Sequence, residues 1–144
     1  MALGGGSQIV GALTVVGVQR PSVRVYAAGA AGAPAQFDSW KGGALLANRP
    51  VRTFAEGIAT GSAYEMTFEA IKAGIAGFVQ VTEDDLYAAI RDLLRVTHNL
   101  AEGAGAVGLA GLRALAPQLS GQRVGIVISG GNLSHGSLMH ALTA

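Results

Sequence analysis

The sequence predicts an α/β fold, an open and mostly parallel sheet with helices on both faces. Three observations carry this. Runs with β-branched residues at Val23–Ala28, Phe78–Val81 and Arg123–Ile128 alternate with segments of helical period, the order that produces crossover-linked parallel strands. The 144 residues fit one domain. Half of the residues are hydrophobic, only 13% are charged, and 22 Gly plus 26 Ala make a third of the chain. An average soluble domain is about 25% charged, so charged disorder is excluded and much of the surface is expected to lie against other protein.

The elements follow in order. Gly4-Gly5-Gly6-Ser7 precedes a helix over Gln8–Gln19, with Ile9, Leu13 and Val16 at helical spacing and Pro21 as its stop. Val23–Ala28 alternates and reads as a strand. Gly29–Pro34 is a small-residue loop, and Ala35–Lys41 a short helix closed by Gly42-Gly43. Leu45–Ile58 has no period and is a connection. Ala63–Ala73 is a helix with Met66, Ile71 and Phe68 inward, and Phe78–Val81 is a short strand. Thr82 starts the next helix with Asp85 in a capping-box arrangement. Glu83, Asp84 and Asp85 crowd its positive end, and Leu86, Ile90, Leu93 and Leu94 form its apolar face. A glycine- and alanine-rich helix spans Gly103–Leu115, where small residues admit a neighbouring backbone. Arg123–Ile128 is a buried-type strand running straight into Ser129-Gly130-Gly131-Asn132.

Composition narrows the function classes. Lys41 and Lys72 are the only lysines and the eight arginines are scattered, which does not suit a phosphate backbone. The absence of cysteine removes disulfides, thiol catalysis and Cys-ligated zinc, and agrees with a cytoplasmic setting. The longest apolar stretch, Ile9–Val18, is too short to span a bilayer, and no basic flank marks a signal peptide. His135 and His140 are five apart, about 140° around a helix at about 100° per residue, a poor two-ligand metal spacing. No nucleophile-elbow signature accompanies the serines.

Two glycine loops carry the chemistry. Gly4-Gly5-Gly6-Ser7 opens a helix, so its amides could hold an anion, most often phosphate; the same run also reads as a flexible linker. Ser129-Gly130-Gly131-Asn132 lies at the C-terminal end of a strand, where open sheets bind ligands; an ordinary strand-to-helix turn fits as well. Glu56-Gly57 and Glu102-Gly103 set carboxylates beside small residues, an arrangement that also suits plain helix starts.

Taken in order, the segments resemble the C-terminal half of the threonine dehydratases (threonine ammonia-lyases), which with serine racemase are fold-type II enzymes using pyridoxal phosphate (PLP). The residues that carry the resemblance are Gly4–Ser7, Val23–Tyr26, Phe54–Gly61, Thr67–Glu69, Val81–Asp85, Glu102–Ala106 and Val127–Asn132, covering nearly the whole chain. The resemblance implies that the chain, residues 1–144, is part of the large domain of such an enzyme, the C-terminal portion of its catalytic domain. It implies that Gly4, Gly5 and Gly6 hold the PLP phosphate, with Ser7 where the family usually has a fourth glycine. It also implies that Ser129, beside Gly130, hydrogen-bonds the pyridine nitrogen, that Gly57 lines the cofactor face and that Glu102 sits near the ring. A neutral serine does not stabilise a full pyridinium charge as a carboxylate would, which tempers the electron sink and suits β-elimination of a hydroxyl.

The same resemblance marks departures. Some relatives hold a divalent metal through carboxylates that would fall near Gly29 and Ala35, neither of which offers a ligand, so no metal is expected. Twelve residues follow Asn132, so no regulatory amino-acid-binding domain is expected. The family attaches PLP through a lysine in a Ser-Phe-Lys type motif and grips the substrate carboxylate with a Ser-Gly-Asn type loop, both upstream of the matched region. Neither motif occurs here, Lys41 and Lys72 do not match the catalytic position, and the strand leading to Gly4 is reduced to Met1-Ala2-Leu3. Without that lysine, covalent catalysis of this kind lacks its nucleophile.

The expectation is a chain that is inactive alone and completed by an N-terminal half, acting then on a small hydroxy-amino acid such as threonine, serine or 3-hydroxyaspartate. The alternative is a non-catalytic α/β domain that homo-oligomerises and binds a phosphate-bearing ligand through residues 4–7 and 129–132. Neither a nucleic acid nor a membrane is an expected partner.

Overall fold

In the computed structural model, which describes residues 1–143, two parallel strands lie between two sets of helices. In chain order the elements are α1 (Ser7–Gln19), β1 (Tyr26–Ala30), α2 (Ala35–Gly42), α3 (Glu65–Gly74), β2 (Gly77–Val81), α4 (Glu83–Thr97), α5 (Gly103–Leu115) and α6 (His135–Thr143). Short 3-10 turns occupy Glu56–Ile58 and Ala116–Leu119. β1 pairs with β2 from Tyr26 opposite Gly77 to Ala30 opposite Val81. On the other edge of β1, Ala2 bridges Ala28, also in parallel.

The period of two along β1 divides the core. Ala28 and Ala30 face α4 and α5, joining Leu86, Ile90, Val107 and Ala110. Val25 and Ala27 face α1 and α3, joining Ile9, Ile71 and Ile75. This is the layered α/β arrangement the sequence predicts.

Local chemistry explains the ends. Thr82 caps α4 with a complete capping box: its hydroxyl accepts from the Asp85 amide, and the Asp85 carboxylate accepts from the Thr82 amide at 2.9 Å. These hydrogen bonds hold the Asp85 carboxyl below its ordinary value. His98 ends α4 in the left-handed conformation, with φ of 58°. Asp92 pairs with Arg113 of α5 and with Arg95, which ties α4 to α5 and lowers the Asp92 carboxyl, chiefly through Arg113. The glycines of α5 bring it against the sheet, since a Cβ at Gly111 would lie 2.7 Å from the Ala28 Cβ and 3.2 Å from Val79.

Three expectations are corrected. The first strand is Tyr26–Ala30 rather than Val23–Ala28, because the ladder begins only where Gly77 of β2 lies opposite Tyr26; Gly29 and Ala30, expected in a loop, are therefore strand residues. Arg123–Ile128 is not part of a ladder: residues 122–134 run without regular structure, and Val124, Val127 and Ile128 are exposed. A β-branched run becomes a strand only with a partner edge, and none is in register with it among the described residues. Met66, expected inward, is 94% exposed, because the inner face of α3 is made by Phe68 and Ile71. The helix α6 was not foreseen; it buries Ala141 against the α4 side of the core. Among the described residues no helix is long and apolar enough to cross a membrane.

Candidate functional site

Four of the glycine and acid positions singled out in the sequence converge although they are far apart in the chain. Gly4 approaches Gly57 so closely that a Cβ on Gly4 would lie 2.6 Å from the Gly57 carbonyl oxygen. A Cβ on Gly57 would lie 2.9 Å from the Ala104 Cβ and 3.8 Å from the Glu102 Oε1. One on Gly130 would lie 2.5 Å from the same Oε1. The Glu102 amide donates to the Gly130 carbonyl at 3.0 Å, which joins the last loop to the start of α5.

Glu102 is the N-cap of α5, yet its carboxylate makes no capping bond. It faces Gly57 and Gly130 instead. The plain reading of Glu102 as a helix start is thus right about the backbone and leaves the side chain free for another task. Glu56 opens a 3-10 turn and is exposed. Beside Glu102 opens a pocket of about 210 Å³, whose walls include Phe54, Glu56, Asn132, Ser134 and Ser137.

The first glycine loop is held by residues that the sequence reading did not single out for this purpose. Gln36, 3% exposed, donates from Nε2 to the Gly4 carbonyl at 2.7 Å. Thr67 donates from Oγ1 to the Gly5 carbonyl at 3.0 Å. Gly6 has φ of 98° and enters α1 from the left-handed region, where a side chain would also strike Thr67 and Ile71. The start of α1 has no side-chain cap and no acid in its first turn, so its first amides keep their partial positive charge. Ser7 is the exposed first residue of that helix. Glu83 steadies the segment entering Glu56-Gly57 by accepting from the Phe54 amide at 2.9 Å through Oε2. Phe54 itself stacks on Tyr87 of α4 at 4.1 Å between ring centroids.

Ser129 is exposed, and no hydrogen bond engages its hydroxyl among the described residues. Both lysines have other contacts. The Lys72 Nζ donates to the Gly43 carbonyl at 3.3 Å and stands over Phe68, and the Lys41 Nζ stands over Phe37. Gly29 lies within β1 and Ala35 opens α2, both buried.

These features suit a flat, phosphate-bearing ligand. Gly5 is open, with only the Tyr64 ring edge at 4.0 Å from where its Cβ would be. The uncapped start of α1 supplies amides for an anion. The bare faces of Gly57 and Gly130 flank a carboxylate in space that side chains would otherwise fill.

The family model for pyridoxal-phosphate dependent enzymes matches residues 1–130. The chain belongs to that family. Among curated relatives it is 36% identical to the L-threonine ammonia-lyase of Thermotoga maritima over 132 residues, covering 91% of this chain and 32% of that one. The chain spans about a third of the length of the curated relatives it matches. Among solved structures, a threonine deaminase from tomato, Solanum lycopersicum (the processed form of isoform 2), superposes with a TM-score of 0.88 at 30% identity, covering 97% of this chain and 41% of that one. The serine racemase of Dictyostelium discoideum gives 0.83 at 29% identity, covering 92% and 43%. The mixed fold with its small parallel sheet is therefore that of the fold-type II PLP enzymes.

PLP, when bound, supplies an electron sink for charge developing at an amino-acid α-carbon. The residues that would hold it here are Gly4, Gly5, Gly6 and Ser7 at the phosphate, Gly57 and Glu102 along the ring, and Ser129 with Gly130 at the pyridine end. Sequence reasoning had no signal for Gln36, because one glutamine among small residues marks nothing until the chain folds over it.

Proposed function

We propose that this chain furnishes the cofactor-side portion of a PLP-dependent ammonia-lyase acting on threonine or serine. Water leaves by β-elimination and water is taken up as ammonia departs, so threonine gives 2-oxobutanoate and ammonia. The observation that carries this reading is the convergence of Gly4, Gly57, Glu102 and Gly130 from four separate segments. The names of the relatives, L-threonine ammonia-lyase and threonine deaminase, support the reaction class.

In this reading the start of α1 binds and orients the phosphate. The Ser129 hydroxyl partners the ring nitrogen without adding charge, which suits elimination over a long-lived carbanion. Glu102 fixes the ring edge between the two bare glycine faces and excludes water from it. The attachment lysine and the substrate-carboxylate loop are assigned to an N-terminal half. In support, neither lysine of this chain lines the pocket beside Glu102.

Two measurements test the reading. The purified chain is titrated with PLP, treated with borohydride and weighed intact; no covalent adduct is expected. The chain is then combined with the N-terminal portion of the Thermotoga maritima relative, and 2-oxobutanoate is measured with threonine and PLP. Ketoacid that needs both parts supports the reading. A defined adduct on the chain alone overturns the assignment of the lysine elsewhere, and a folded, PLP-loaded pair that yields no ketoacid overturns the reaction.

A further inference from the structure

The largest cavity, a groove of about 370 Å³, lies away from Glu102, between β1 and residues 122–126. Its character follows from the ladder. The Val25 carbonyl accepts from Ala76 and the Ala31 amide donates to Val81, so odd positions along β1 bond toward β2. Even positions turn the other way. The Ala28 amide donates to the Met1 carbonyl, the Ala28 carbonyl accepts from Leu3, and the Tyr26 carbonyl accepts from the Met1 amine at 2.8 Å. Continuing that two-residue step turns the Tyr26 amide and both backbone groups of Arg24 into the groove. No backbone partner engages Arg24 among the described residues. The far wall is the β-branched segment that lacks a ladder, with Val124 at 43% exposure.

We propose that this groove receives one β-strand of a separate partner polypeptide, parallel to β1 and in line with residues 1–3. The proposal deepens the functional reading and rests on it, the partner being the N-terminal half. The register is fixed. Ala2 lies opposite Ala28, so the last residue of the incoming strand lies opposite Tyr26, and five residues reach back to Ser22. Both faces are covered. Ala12 and Val16 of α1 line one side, and Gly108, Gly111 and Leu112 of α5 line the other. A strand buried on both faces is a continuous apolar run. Ala2 packs on the α5 side while Met1 packs on the α1 side. The last residue of the partner therefore points at α5, where two glycines leave room for a branched side chain.

Charge identifies the partner's end. The Met1 ammonium, Arg24 and Arg123 line the groove with no acidic side chain beside them. Burial lowers the Met1 amine from its ordinary value. A free C-terminal carboxylate abutting that ammonium complements it, whereas the next copy of this chain offers no such strand end at that register.

The test uses the full chain and the N-acetylated heptapeptide DTVVVAV with a free C-terminus, followed by calorimetry and hydrogen exchange. Saturable one-to-one binding is expected, with slowed exchange across residues 22–28 and 122–128. The C-terminal amide should bind about threefold more weakly, as loss of a partly exposed ion pair allows. N-methylation of the second-to-last residue removes the donor to the Arg24 carbonyl and should weaken binding about tenfold or more. Val124→Asp alters an exposed wall position, so the chain should keep its circular dichroism and lose the peptide. A folded chain that neither binds nor gains protection overturns the proposal, as does equal binding of the N-methylated peptide. Protection of the same residues that rises with protein concentration and needs no peptide assigns the groove to a second copy instead. Peptide binding without ketoacid on reconstitution keeps the groove and removes the lyase reading. Ketoacid on reconstitution without protection of residues 22–28 does the reverse.

Discussion

Gly4→Ala tests the convergence of the glycine segments most directly. A Cβ there would lie 2.6 Å from the Gly57 carbonyl oxygen and 3.2 Å from the Ile58 Cα. Ordinary contact begins at 3.4 Å, so the two segments must part by about 0.8 Å, the difference between 3.4 and 2.6. Both neighbours are backbone, and Gly4 is also tied down by Gln36, so no flexible side chain absorbs the change. Overpacking of this kind costs about 1–3 kcal/mol. The reduced entropy of the unfolded chain returns about 0.4–1 kcal/mol. The expected loss is about 1–2 kcal/mol, or a fall of roughly 2–8 °C in Tm for a chain of this size. Gly11→Ala is the matched control, since Gly11 is exposed within α1 and has nothing within 4 Å of its Cβ position. That change should stabilise by about 1 kcal/mol through helix propensity. Thermal melts of both variants by circular dichroism give opposite signs if the reasoning holds. A Gly4→Ala chain that melts with or above the parent would show that Gly4 and Gly57 do not touch, and the cofactor cradle built on that contact would fall with it.

Further outcomes follow from named contacts. Gln36→Met keeps the volume and leaves the Gly4 carbonyl without its donor, so denaturant unfolding should show a loss of about 1–3 kcal/mol, and PLP should bind the reconstituted enzyme more weakly. Thr82→Ala removes the capping box of α4 and should cost about 1 kcal/mol in the same assay. Asp85 and Asp92 have carboxyls lowered from 3.8 by their hydrogen bonds and arginine partners, so the stability they contribute is present above that value. It should drain away as pH falls below it toward their folded values, and Asp92→Asn should flatten this acid limb in pH-dependent melts. Ser129→Ala should leave the melting of the isolated chain unchanged, because the hydroxyl is exposed and unbonded among the described residues; in the reconstituted enzyme it should lower ketoacid formation.

Much of this protein was legible before folding. Period and caps located α5 at Gly103–Leu115 and placed Thr82 as the cap of α4, because these signals act over one or two turns. The ordered glycine and acid motifs pointed to the cofactor family, because a phosphate cradle and a ring-binding loop need those residue types locally. The tertiary structure decided what depends on partners distant in the chain. Val23–Val25 and Arg123–Ile128 have strand composition, yet strand identity requires a neighbouring edge, and only Tyr26–Ala30 finds one in β2. Met66 fits a helical period, but the side of α3 that faces α1 was fixed by Phe68 and Ile71. Gln36 beneath Gly4, and Glu102 turned from capping toward Gly57 and Gly130, are three-dimensional facts. Local chemistry can nominate a carboxylate or an amide, but only packing sets what stands within hydrogen-bonding reach of it.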